Sequence, residues 1–100
     1  MSKASKACDI SPVVRREVTE RDGGRCILCG AADGIQIAHY IPRSRLGLGT
    51  ARNLACMCHI CHQAMDNGNL RTPYEAAFKR YLREKYSDWN EDDLVYRKWR

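Results

Sequence analysis

Apolar residues are sparse along this chain and fall into short groups with different spacings. Val14 and Val18 stand four apart among Arg15, Arg16, Glu17 and Glu20, the spacing of one helix face. Ser11-Pro12 supplies an N-cap and a proline at the first helical position, and Gly23-Gly24 stops the helix. The period then becomes two: Ile35, Ile37 and His39 alternate with Gln36 and Ala38 after an Asp33-Gly34 turn, as in a strand. Asn53 to Met57 reads as a second short strand. A tight turn from Cys58 to Cys61 then opens into a short helix ending near Asn67-Gly68. Helical spacing returns in Tyr74, Ala77, Phe78, Tyr81, Leu82 and Tyr86, behind Thr72-Pro73-Tyr74-Glu75, a capping box with proline at N1. Asn90 with Asp93 caps a last helix carrying Leu94, Val95 and Trp99. The pattern predicts one α+β domain: a core over residues 11–70 and a C-terminal helical extension over 71–100 packed on it. Residues 1–10 show no periodicity and are expected to form a flexible N-terminal arm, with Cys8 an unpaired thiol.

Composition adds a difficulty. Leu, Ile, Val and Phe total only 18 of 100 residues, too few for burial alone to offset the ordering entropy. Six cysteines are the candidate staple. No apolar run approaches the roughly 18 residues of a membrane span, so no membrane partner is expected. Met-Ser-Lys-Ala-Ser-Lys lacks the apolar stretch of an export signal. A cytoplasmic, reducing setting follows, where clustered cysteines bind metal more often than they pair. Cys26-x-x-Cys29 and Cys58-x-x-Cys61 are two knuckles about thirty residues apart, and four sulfurs from such turns suit a structural Zn²⁺. The interval leaves room for a hairpin between them. Cys56 reads as a small apolar residue, although a site using Cys56 or His59 in place of one of the four stays open. Lys and Arg number 17 against 12 Asp and Glu, a net charge of +5, which makes nucleic acid the leading partner. Arg43, Arg45 and Arg52 lie in a loop without an acidic residue and suit phosphate contact. Lys79, Arg80, Arg83 and Lys85 read as a solvated helix face.

His39, Asn53 and His62 follow one another at intervals of fourteen and nine residues. From Ile37-Ala38-His39-Tyr40-Ile41-Pro42-Arg43-Ser44, through Asn53-Leu54, to Cys58-His59-Ile60-Cys61-His62, the chain resembles the HNH endonucleases. These are the ββα-metal or His-Me finger nucleases, and the likeness is greatest to small phage-type members with zinc knuckles. The resemblance implies a zinc-braced ββα-metal domain with flanking helices, acting as a metal-dependent DNA endonuclease that leaves a 3′-OH and a 5′-phosphate. It implies His39 as the general base, Asn53 as the residue holding strand and loop, and His62 as a ligand of a catalytic cation. Asp66, one helical turn after His62, shares its face and would complete an N,O site for Mg²⁺ or Mn²⁺. The same likeness implies a bacterial or phage-infected host cell as the setting, and phage packaging or processing proteins as partners beside DNA. One position departs from the family: Ala38 stands where an Asp or His ligand is common, and His59 is the candidate substitute. If Ala38 marks lost catalysis, the alternative is a non-catalytic zinc-binding nucleic-acid module. A structural adaptor docking a protein through its aromatic C-terminal helices is a further alternative.

Overall fold

Two serines start the first two helices of the computed structural model, which describes residues 2–66 and 71–98. The Ser2 side chain accepts from the Ser5 N–H and opens α1 (Lys3–Cys8). The Ser11 hydroxyl accepts from the Val14 N–H at 3.1 Å and opens α2 (Pro12–Asp22), which Gly23 closes in the left-handed conformation. Helix α1 corrects the expectation of a flexible arm. Six residues are too few to show a period, but Lys-Ala-Ser-Lys-Ala-Cys with a serine cap is compatible with one and a half turns. The helix is also docked: the Gly49 N–H donates to the Ala7 carbonyl at 3.0 Å, and Cys8 is buried.

Strands β1 (Ile35–His39) and β2 (Leu54–Cys58) pair antiparallel, with Ile35 opposite Cys58 and His39 opposite Leu54. Both faces of β2 are covered. Leu54 and Cys56 pack with Val18 of α2, while Ala38, Ala55 and Met57 pack with Met65, Phe78 and Leu82. Burial on both sides explains why all five residues of β2 are enclosed and why its sequence does not alternate. Met65 belongs to α3 (His59–Asp66), and Phe78 and Leu82 to α4 (Arg71–Lys85). Asn53 closes a 3₁₀ turn, Ala51–Asn53, so the second strand begins one residue later than its pattern predicts. Helix α4, described over Arg71–Lys85, already includes Thr72, which therefore lies within the helix instead of at its cap. The last predicted helix is a single 3₁₀ turn, Glu91–Leu94, on which the Asn90 side chain accepts from the Asp92 N–H. The expected helix end at Asn67-Gly68, and Trp99, lie outside the described residues.

A buried strut ties the layers together. The Asp22 carboxylate is fully enclosed and accepts from the Arg21 guanidinium, the Cys56 N–H and the Tyr81 hydroxyl. Arg21 donates in turn to the carbonyls of Ala51 and Leu54 and to the Tyr86 hydroxyl. Burial alone would raise the Asp22 pKa, but these donors outweigh it and hold the carboxylate below its ordinary value.

Candidate functional site

The two cysteine knuckles converge. Cys26, Cys29, Cys58 and Cys61 place their sulfurs all within 4.8 Å of one another, the one group of three or more potential metal ligands so gathered among the described residues. Four thiolates around a tetrahedral zinc lie about 3.8 Å apart, and the Cys29 and Cys58 sulfurs are 3.5 Å apart. Local backbone geometry builds each half. The Gly30 N–H donates to the Cys26 carbonyl, and the Cys26 N–H to the Ala31 carbonyl, closing the first turn. The Leu28 and Cys61 N–H groups donate to the Cys26 and Cys58 sulfurs at 3.4 Å each. Although burial opposes ionisation of Cys26, backbone N–H groups of Cys58, Cys29 and Leu28 bring its pKa down to about 7. The donor set and its spacing can hold a metal ion. None of the six cysteines is in a disulfide. Cys56 stands apart from the cluster in the core, its pKa pushed up to about 11 by burial and by the Asp22 charge.

A second constellation surrounds the open end of the hairpin. His39 is half-buried at the end of β1, with its Nε2 3.0 Å from the Cys8 carbonyl of α1. A carbonyl only accepts, so Nε2 carries the proton and Nδ1 is left with the lone pair. Burial lowers the His39 pKa, and the charges of Arg43 and His62 act in the same direction, against the favourable Cys8 carbonyl. Asn53 is fully buried and clamps the connecting loop. Its Oδ1 accepts from the Ile41 N–H at 2.8 Å, and its Nδ2 donates to the carbonyls of Ile41 and Leu48. Two glycines make that loop possible. A Cβ on Gly47 would lie 1.6 Å from the Ile41 oxygen, and one on Gly49 2.0 Å from the Asp9 oxygen. Strand-like bonds from Leu48 to Leu94 and from Tyr96 to Leu46 hold the loop from the other side.

On α3, Cys61 turns into the cysteine cluster while His62, one residue on, faces β1. The His62 Nε2 stands 3.5 Å from the Asp66 Oδ2 one turn later. Its Nδ1 lies 2.6 Å from the Gln36 Oε1. His59, the candidate substitute for the missing ligand, does not join this pair. It is exposed beside Cys29, Ile60 and Tyr74, on the flank of the cysteine cluster. Ala38 is enclosed in the core. Gln36 shares the strand face of Ala38, and it is the polar residue that composition and motif spacing passed over. Strand alternation was the available signal, since residues 36 and 38 must point the same way.

The loop arginines are not alike. Arg43 pairs with Asp9 at 2.8 Å, and Arg52 pairs with Asp88 at 2.8 Å while lying over the Tyr86 ring. Arg45 borders a cavity of about 360 Å³ together with Tyr40, Glu91 and Arg97. The acids that meet Arg43 and Arg52 come from distant parts of the chain, so the loop's own sequence could not reveal them. Both pairs are solvent-exposed and exchangeable. Fold and site together define a small α+β domain with a four-cysteine centre able to bind metal. Compared with known protein families and with curated proteins, the chain matches none. Among the described residues no helix is long and apolar enough to cross a membrane.

Proposed function

We propose that this chain is a divalent-metal-dependent DNA endonuclease of the ββα-metal type, braced by a structural Zn²⁺ on Cys26, Cys29, Cys58 and Cys61. The observation that carries the reading is the unit β1–loop–β2–α3. His39 ends its first strand, Asn53 clamps its loop, and His62 with Asp66 stands on the helix that follows. In this reading the His39 Nδ1 takes a proton from water, whose oxygen attacks the scissile phosphorus as the bond to the 3′-oxygen breaks. A lowered pKa keeps the ring neutral and able to accept that proton at neutral pH. His62 Nε2 and Asp66 are an N,O donor pair that would hold Mg²⁺ or Mn²⁺. A cation bound there supplies Lewis-acid stabilisation of the phosphate and the departing oxygen. Arg45, with Arg43 and Arg52 released from their exposed partners, would contact the DNA backbone.

The test is nicking of supercoiled plasmid across a panel of divalent cations, with wild type and His39→Ala side by side. Metal-dependent nicking that His39→Ala loses supports the reading. No nicking in any metal, with DNA still bound, would favour the second reading, a non-catalytic nucleic-acid module. Burial of Ala38 in the core is the observation on that side.

A further inference from the structure

We infer that Gln36 is a positioning residue, which fixes the His62 ring so that its Nε2 lone pair points at Asp66 for cation binding. The inference rests on the proposed cation site at His62 and Asp66. The His62 Nδ1 and the Gln36 Oε1 are 2.6 Å apart, and an amide oxygen only accepts, so Nδ1 must carry the proton. A neutral ring protonated there keeps its lone pair on Nε2, the nitrogen 3.5 Å from the Asp66 Oδ2. Metal-binding histidines are commonly oriented in this way, by an acceptor on the nitrogen away from the metal. The contact joins β1 to α3 across the motif, so it also sets the angle of the ring against the strand. Ala38 can supply neither a ligand nor an acceptor. Gln36, two residues back on the same strand face, is placed to act through His62 instead. His59 points elsewhere and offers no competing support.

The experiment compares zinc-loaded wild type with Gln36→Leu, Gln36→Glu and His62→Ala. Imidazole nitrogen shifts in the absence of added cation, at a pH where His62 is neutral, report its tautomer; Mn²⁺ titration followed by electron paramagnetic resonance reports affinity. Wild type should show the Nδ1–H tautomer and a Mn²⁺ site that His62→Ala abolishes. Gln36→Leu should shift His62 toward Nε2–H and weaken Mn²⁺ about tenfold or more, within the range for loss of such a support. Gln36→Glu, which still offers an acceptor, should restore both. Because Gln36 is exposed, its replacement should leave zinc content and thermal unfolding unchanged. A wild-type ring already in the Nε2–H form, or a Gln36→Leu protein with unaltered tautomer and Mn²⁺ affinity, would overturn the inference. So would a wild type with no Mn²⁺ site dependent on His62. A protein that shows all the expected binding behaviour yet nicks no plasmid would leave Gln36 in its role and overturn the nuclease reading alone.

Discussion

An imidazole acts as a general base only while one nitrogen keeps its lone pair and the ring stays neutral. The hydrogen bond to Cys8 fixes which nitrogen of His39 keeps the lone pair, while burial, aided by the nearby charge of Arg43, keeps the ring neutral against the pull of that same carbonyl. Removing a positioned base costs about 10²–10⁴ in rate, whereas phosphate contacts dominate DNA affinity. On the proposed nuclease reading, His39→Ala should therefore fold, retain zinc and bind DNA with an unchanged salt dependence, but cleave at least about 100-fold more slowly. The wild-type rate should fall toward acid pH with a midpoint below the ordinary histidine value of 6.5. A midpoint at or above that value would remove His39 from the role of base. Stability follows the same sign. The folded value lies below the unfolded one, so between them the unfolded chain binds more protons. The contribution of a neutral His39 is present above about 6.5 and is lost as the pH falls through the folded value.

At the scale of elements, the loop between β1 and β2 is held by the two ends of the chain, and Gly49 is where the N-terminal end fits. A methyl group on Gly49 would collide with the Asp9 carbonyl, and backbone cannot yield as a flexible side chain can. Gly49→Ala should lift α1 from the loop and expose Cys8, which is only 2 % accessible in the folded chain. Iodoacetamide labelling of Cys8, mapped by mass spectrometry, should accelerate about tenfold or more, the effect of some 1.4 kcal/mol on an opening equilibrium. Unchanged labelling would mean that the α1 contact contributes nothing. The same loop shows what was legible in the sequence. Period two located β1, period 3.6 located α2 and α4, and the paired knuckles located the four cysteines. All of these are local signals. The docking of α1, the acids that meet Arg43 and Arg52, and the bond from Gln36 to His62 join residues 26 or more positions apart. Spacing rules cover one turn of helix or one strand face, so these could emerge only from the assembled fold.

The whole molecule must offset the entropy of ordering its chain with few large aliphatic side chains. Two devices extend its thin core. One is the Arg21–Asp22 strut between α2, β2 and α4; Asp22→Asn would leave Arg21 enclosed beside a neutral partner. That change should cost about 3–5 kcal/mol, as for other broken buried pairs, read from urea unfolding at neutral pH. A loss under about 1 kcal/mol would show that the strut is replaceable by ordinary hydrogen bonding. The other device is the cysteine cluster. It joins the Cys26–Cys29 turn to the end of β2 and the start of α3, and Met57, Met65, Phe78 and Leu82 share its hydrophobic cluster. Separating those knuckles would therefore open the main core as well as a surface turn. Ligation converts metal affinity into folding free energy, on the order of 10 kcal/mol for a structural zinc site, which is comparable to the whole stability of a typical domain. If the cluster holds the proposed Zn²⁺, stripping it with a chelator, or replacing Cys29 with Ser, should abolish the cooperative thermal transition or lower its midpoint steeply. Adding Zn²⁺ back to the stripped wild type should restore it, and Cys29→Ser should recover less at the same zinc concentration. A metal-free chain that unfolds at the same temperature as the zinc-loaded one would show that the aliphatic and aromatic core suffices by itself, and that the four cysteines lie together without holding the fold.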